Sequence, residues 1–153
     1  LYFGGNAEPV QQNRDDFARL FPGRSLYFLA YRGYGASDGV PSQDALVADA
    51  VGFFDDVQAR HPGQPIDVVA RSLGTGVASQ LAARRPLARL VLVTPFDSLR
   101  AASQAHYPIF PVRWLLKDTF DSVAALRGFR QPLLIVHGGR DDVIKLFAGV
   151  RRS

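Results

Sequence analysis

Ser72 sits at the centre of Ala70-Arg71-Ser72-Leu73-Gly74, with a small residue two places before it and another two places after. Small residues there let a strand and a helix approach closely around a sharp turn. Such a turn lifts a serine onto strained backbone, with its hydroxyl toward solvent and a helix N-terminus beneath it. The chemistry it serves is nucleophilic attack on an acyl carbon. The five residues alone also fit a serine at an ordinary helix N-cap. Beside Ser72, the residue types able to take part in chemistry are Asp97, Asp141 and three histidines, His61, His106 and His137. The loop Gly4-Gly5-Asn6-Ala7-Glu8 is a further candidate. Its glycines either turn backbone N–H groups toward a ligand or form a plain turn.

These residues need elements to hold them. Ile66, Val68 and Val69 form a β-branched apolar run leading into the serine, and Val77, Ala78, Leu81 and Ala82 follow at helical spacing. The pattern predicts strand, turn, helix. Leu1 to Phe3 reads as the end of a buried strand, and Val10, Phe17, Leu20 and Phe21 as a short amphipathic helix stopped by Pro22-Gly23. Ser25 to Tyr31 (SLYFLAY) is nearly continuous in apolar and aromatic residues, as expected of a strand covered on both faces, and runs into Arg32-Gly33-Tyr34-Gly35. Pro41-Ser42-Gln43-Asp44 starts a helix to about Ala59, with Leu46, Val47, Ala50, Phe53, Phe54 and Val57 as its apolar stripe. Arg89 to Thr94 and Pro132 to Val136 read as two further buried strands. Between them, Leu99 to Gln131 breaks the rhythm with short helical pieces. Tyr107 to Trp114 in that insert either line an apolar acyl pocket or pack the insert onto the sheet. Alternating strands and helices with short connections imply a parallel sheet, whose ligands sit at the carboxyl ends of the strands. Gly4-Gly5-Asn6, Arg32-Gly33-Tyr34-Gly35, Ser72, Asp97 and Asp141 all fall there.

Composition narrows the classes. With 153 residues, 47% of them hydrophobic, the chain suits one domain with a real core, which excludes a disordered or fibrous protein. The net charge of +4 is spread without a block of like charge, so a nucleic-acid partner is not expected. No membrane-crossing run and no signal-peptide pattern is present, which favours the cytoplasm. Zero cysteines exclude disulfides, a thiol nucleophile and thiolate-bound metal. No metal-ligand cluster or phosphate-binding glycine motif is seen, so neither metal nor cofactor is expected. The chain opens on Leu1-Tyr2-Phe3 without methionine, which reads as an internal segment of something longer.

Five blocks in order, LYFGGNAE, YRGYGASDGVPS, VARSLGTGVA, VTPFDSL and IVHGGRDDVI, resemble the α/β-hydrolase fold family, in its branch of Bem46-like and serine aminopeptidase-type hydrolases. The resemblance implies a three-layer α/β/α sandwich on a parallel sheet. One partial domain is expected over residues 1–153 with a helical insert at about 99–131, lacking the first strands and the last strand with its histidine loop. It implies that Ser72 is the nucleophile, forming an acyl-enzyme with the ester, thioester or amide of a small-molecule acyl substrate. Asp141 is implied as the acid that orients a histidine, with Asp97 as the fallback. The N–H groups of Asn6 and Leu73 are implied as the oxyanion hole.

Three departures stand against that pattern. Gly4 replaces a frequent histidine, and Ala70 replaces the first elbow glycine. The third concerns the general base: His61 ends a helix and is expected to face solvent, His106 lies in the insert, and His137 belongs to a structural strand end. Two expectations follow, an active serine hydrolase of which this chain is part, or a shortened non-catalytic relative that serves as a binding module or is a non-functional fragment. Oligomeric state is left open by the sequence.

Overall fold

A computed structural model describes residues 1–6, 8–34, 37–94 and 121–136. The described residues form a five-stranded sheet in the order β2-β1-β3-β4-β5, every pairing parallel. In chain order the elements are β1 (Tyr2–Phe3), a 3-10 turn (Val10–Asn13), α1 (Arg14–Leu20), β2 (Phe28–Leu29), α2 (Gln43–Arg60) and β3 (Asp67–Arg71). They continue with α3 (Leu73–Ala82), β4 (Arg89–Val93), α4 (Ser122–Leu126) and β5 (Leu133–Val136).

The register separates the sheet's two faces. Phe3 pairs with Leu29 and Ala70, Ala70 with Leu92, and Leu92 with Ile135, so these residues share one face. Phe3, Val68, Ala70, Leu90 and Leu92 are 0% exposed there, under α2 and α3. Phe53 of α2 meets Phe3 with ring centroids 6.4 Å apart. Successive strand residues point to opposite faces, and Tyr2 accordingly meets Phe17 of α1 at 4.6 Å on the other side. Helices therefore cover both faces of the sheet, the three-layer α/β/α arrangement expected from the sequence.

Local chemistry explains the elements. The Ser42 hydroxyl caps α2 by accepting from the Ala45 N–H at 3.2 Å. The expected stripe of α2 holds: Leu46, Val47, Ala50, Phe54 and Val57 are buried and Phe53 partly so. Asp121 caps α4, its carboxylate accepting from the Ala124 N–H at 2.8 Å.

Two expectations need correction. The helix read over Val10 to Phe21 begins as a 3-10 turn behind Pro9 and becomes α-helical only at Arg14. Its Leu20 is 69% exposed and Phe21 38%, so Val10 and Phe17 alone of the four apolar positions face inward. SLYFLAY yields only Phe28–Leu29 as strand, half-buried and paired with β1 at the edge of the described sheet. The aromatic run in Tyr27 and Phe28 instead feeds ring contacts with Phe53, Phe17 and Tyr2. Of the insert at about 99–131, α4 is described, and residues 95–120 lie outside the described residues.

Candidate active site

β3 delivers Ser72 to its carboxyl end, where the Ser72 N–H continues the ladder by donating to the Val93 carbonyl of β4 at 3.0 Å. The backbone of Ser72 then turns to φ 52°, ψ −121° before α3 begins at Leu73. A non-glycine residue at positive φ is strained and persists only where its surroundings enforce it. Two such residues occur among those described, Ser72 and Thr94 at φ 48°, at the ends of the adjacent strands β3 and β4.

This geometry separates the two readings of the motif. An ordinary N-cap serine has extended backbone and accepts a bond from the first turn of its helix. Ser72 has neither, since its side chain makes no capping bond. Its carbonyl takes that load, accepting from the Thr75 N–H at 2.9 Å and the Thr75 hydroxyl at 2.6 Å. The half-buried hydroxyl stays unengaged by the helix it heads.

Close approach is enforced at Gly74, though not by β3. A Cβ on Gly74 would fall 2.2 Å from the Phe3 carbonyl oxygen and 2.8 Å from that of Gly4, so α3 is pressed against the end of β1. This brings the Gly4-Gly5-Asn6 loop to the elbow: a Cβ on Gly5 would lie 3.4 Å from Ser72 Cβ and 3.8 Å from its Oγ. A Cβ on Gly4 would come 2.5 Å from Val10 Cγ1, so a side chain there requires Val10 to move. Ala70 is fully buried, its methyl part of the core.

The loop is held by Glu8. Its carboxylate accepts from the Gly5 N–H at 2.5 Å, Tyr2 Oη at 2.6 Å and Asn13 Nδ2 at 2.7 Å, with Arg71 Nη1 3.9 Å away. Burial works to raise the Glu8 pKa, but the three donors and the Arg71 charge outweigh it and hold the carboxyl below its ordinary 4.5. The Tyr2 phenol is pushed up, by burial first and then by the bond to Glu8. Tyr31, 4% exposed, has its hydroxyl buried without a partner among the described residues, and burial raises it as well. The Tyr2–Glu8–Asn13 cluster was not foreseen as part of a site. The one trace of it in the sequence is a glutamate three residues after Gly5.

Asn6 is exposed in the turn after Gly5, and Leu73 opens α3, where an N–H has no acceptor within its own helix. Asp97, Asp141, His106 and His137 lie outside the described residues. His61 departs from its expected solvent setting: its Nε2 lies 2.7 Å from Tyr27 Oη and its ring packs edge-on to Tyr27. It follows α2 and leads into the amino end of β3, so it stands at the opposite end of the sheet from Ser72. A shallow depression of about 480 Å³ beside β2 and α2, lined by Leu29, Arg32, Asp38, Asp49 and Phe53, includes none of the site residues. No group of three metal-ligating side chains occurs among the described residues, and no described helix is long and apolar enough to cross a membrane.

Comparison with known proteins gives a family match over residues 6–125, to the serine aminopeptidase (S33) family. An uncharacterised protein of Mycobacterium tuberculosis is 38% identical over 124 residues, covering 80% of this chain and 44% of its own length. The lysophosphatidylserine lipase ABHD12 of Rattus norvegicus is 33% identical, with 97% of this chain and 43% of its own length covered. The α/β-hydrolase domain-containing protein aho-3 of Caenorhabditis elegans is 34% identical over 82% of this chain and 37% of its own. The chain thus spans less than half the length of these relatives.

Proposed function

Because the chain belongs to the serine aminopeptidase (S33) family of α/β hydrolases, we propose that it acts as a serine hydrolase through Ser72, by way of an acyl-serine intermediate. The observation carrying this reading is the Ser72 backbone at φ 52° with a hydroxyl that does not cap its helix. Ser72 Oγ attacks the acyl carbon, its proton passes to a base, and the carbonyl electron pair moves onto oxygen. Collapse expels the alcohol, thiol or amine with a proton. Water then attacks the acyl-serine, releasing the acid and restoring the hydroxyl.

The developing oxyanion is met by the N–H groups of Leu73 and Asn6. The Gly5 N–H, one residue before Asn6, is already committed to Glu8. One such donor typically contributes about 3 kcal/mol. Asp141 is assigned as the acid that orients the base. His61 does not serve as that base, since Tyr27 engages it at the far end of the sheet. The activity in the name of ABHD12 makes a lipid carboxylic ester the first substrate class to test.

A fluorophosphonate probe tests the reading. We expect one labelled residue, Ser72, and no label after Ser72→Ala. A folded wild-type protein that takes no label would overturn the hydrolase reading and leave a non-catalytic relative in its place.

A further inference from the structure

Glu8 is engaged more heavily than a loop carboxylate on a surface turn needs to be. Its side chain is 13% exposed and collects donors from three separate places: Tyr2 on β1, Gly5 in the loop and Asn13 at the end of the 3-10 turn. Arg71, next to Ser72 in the chain, faces the same oxygen that holds Gly5. The Glu8 N–H also donates to the Gly5 carbonyl at 3.3 Å, so the turn from Gly5 to Glu8 is closed by both the backbone and the side chain of one residue. Asn6 lies inside that closed turn. On its other side Gly5 stands against Ser72, since a Cβ built there would be 3.1 Å from Glu8 Oε2 and 3.4 Å from Ser72 Cβ.

We infer that Glu8 is a positioning residue for the reaction, fixing the Asn6 N–H relative to Ser72 and Leu73 by clamping Gly5. The inference rests on the proposed role of Ser72. The physical argument is that oxyanion stabilisation depends on donors that are in place before charge develops, so a loop free to shift by about 1 Å loses on the order of 10²-fold in rate. A glycine pair is the least restrained backbone available; a Cβ on Gly4 would come 2.5 Å from Val10 Cγ1, and one on Gly5 3.1 Å from Glu8 Oε2. A clamp offsets that freedom. A carboxylate near a forming oxyanion is unfavourable in itself. Here its charge is directed onto the Gly5 N–H and answered by Tyr2, Asn13 and Arg71.

The test uses the full chain and reads the steps of binding and reaction separately, with p-nitrophenyl butyrate for kcat and KM and a fluorophosphonate for the labelling rate at saturation. Glu8→Gln keeps the shape but removes the charge and one acceptor. It is expected to lower kcat and the saturated labelling rate on the order of 10²-fold, with KM changed by less than about twofold. Tyr2→Phe keeps the ring against Phe17 and Phe28 and frees the carboxylate to rotate, so kcat should fall several-fold with KM unchanged. If Glu8→Gln does not fold, Tyr2→Phe decides alone. A carboxylate that only stabilises the fold would lower the melting temperature of both variants and leave the kcat of the folded protein at the wild-type value, which overturns the inference. A wild type that neither labels nor turns over sinks the role of Ser72 as well. A reactive wild type with unaffected variants sinks the role of Glu8 alone.

Discussion

At the scale of single residues, the site depends on where side chains are missing as much as on where they are present. Gly74 shows this with the least ambiguity. Its missing Cβ is the space into which the Phe3 carbonyl fits, 2.2 Å from where a methyl carbon would stand. Backbone cannot swing aside as a flexible side chain can. Gly74→Ala should therefore cost about 3 kcal/mol, the upper part of the range for overpacking, read as a lowered urea midpoint with unchanged slope. Glu8 carries a pH signature. Its carboxyl is held below 4.5 in the folded protein, so its contribution to stability is present above the unfolded value and is lost as pH falls through the folded one. The gap in unfolding free energy between wild type and Glu8→Gln should stay level around neutral pH and shrink as the pH drops below 4.5.

The elements were readable to the extent that periodicity and caps are local. The start of α2 follows from Pro41-Ser42-Gln43-Asp44 and five of its six stripe residues as core from spacing, and β3, β4 and β5 fall within a residue or two of the expected bounds. What could not be read depends on partners distant in sequence. Pro9 and the Glu8 cluster impose a 3-10 turn on residues whose apolar spacing alone suggests continuous helix. The length of β2 is limited by β1, whose two residues are its partners. The turn at Ser72 is legible as a motif, but its positive φ is a backbone property that composition does not encode. Glu8 falls within the candidate loop, but its role is not readable there, because a carboxylate after a glycine turn is unremarkable until Tyr2 and Asn13 converge on it. One prediction belongs here. Ser42→Ala removes the cap of α2 and should cost about 1 kcal/mol, checked by thermal or urea unfolding against the wild type.

For the molecule as a whole, packing is concentrated at the centre of the sheet. β3 is flanked by β1 and β4, β4 by β3 and β5, and Val68, Leu90 and Leu92 are sealed beneath α2 and α3. β2 is half-buried at one edge, and at the other β5 leaves Leu134 57% and Val136 44% exposed. Exchange of backbone amides follows local opening, which is rarest where contacts are densest. The amides of Val68, Leu90 and Leu92 should be the last to exchange into deuterium, and those of Phe28, Leu29 and Leu134 should go earlier. Equal rates across the five strands would mean that the molecule opens as one unit.

The bond from the Ser72 amide to the Val93 carbonyl has a practical corollary for anyone re-engineering this protein. The hydroxyl proposed as the nucleophile is carried on backbone tied directly into the central strands of the sheet. Retuning which molecules it accepts is therefore work for the surrounding loops, and a lost activity after changes near Ser72 calls for a folding measurement before any conclusion about chemistry.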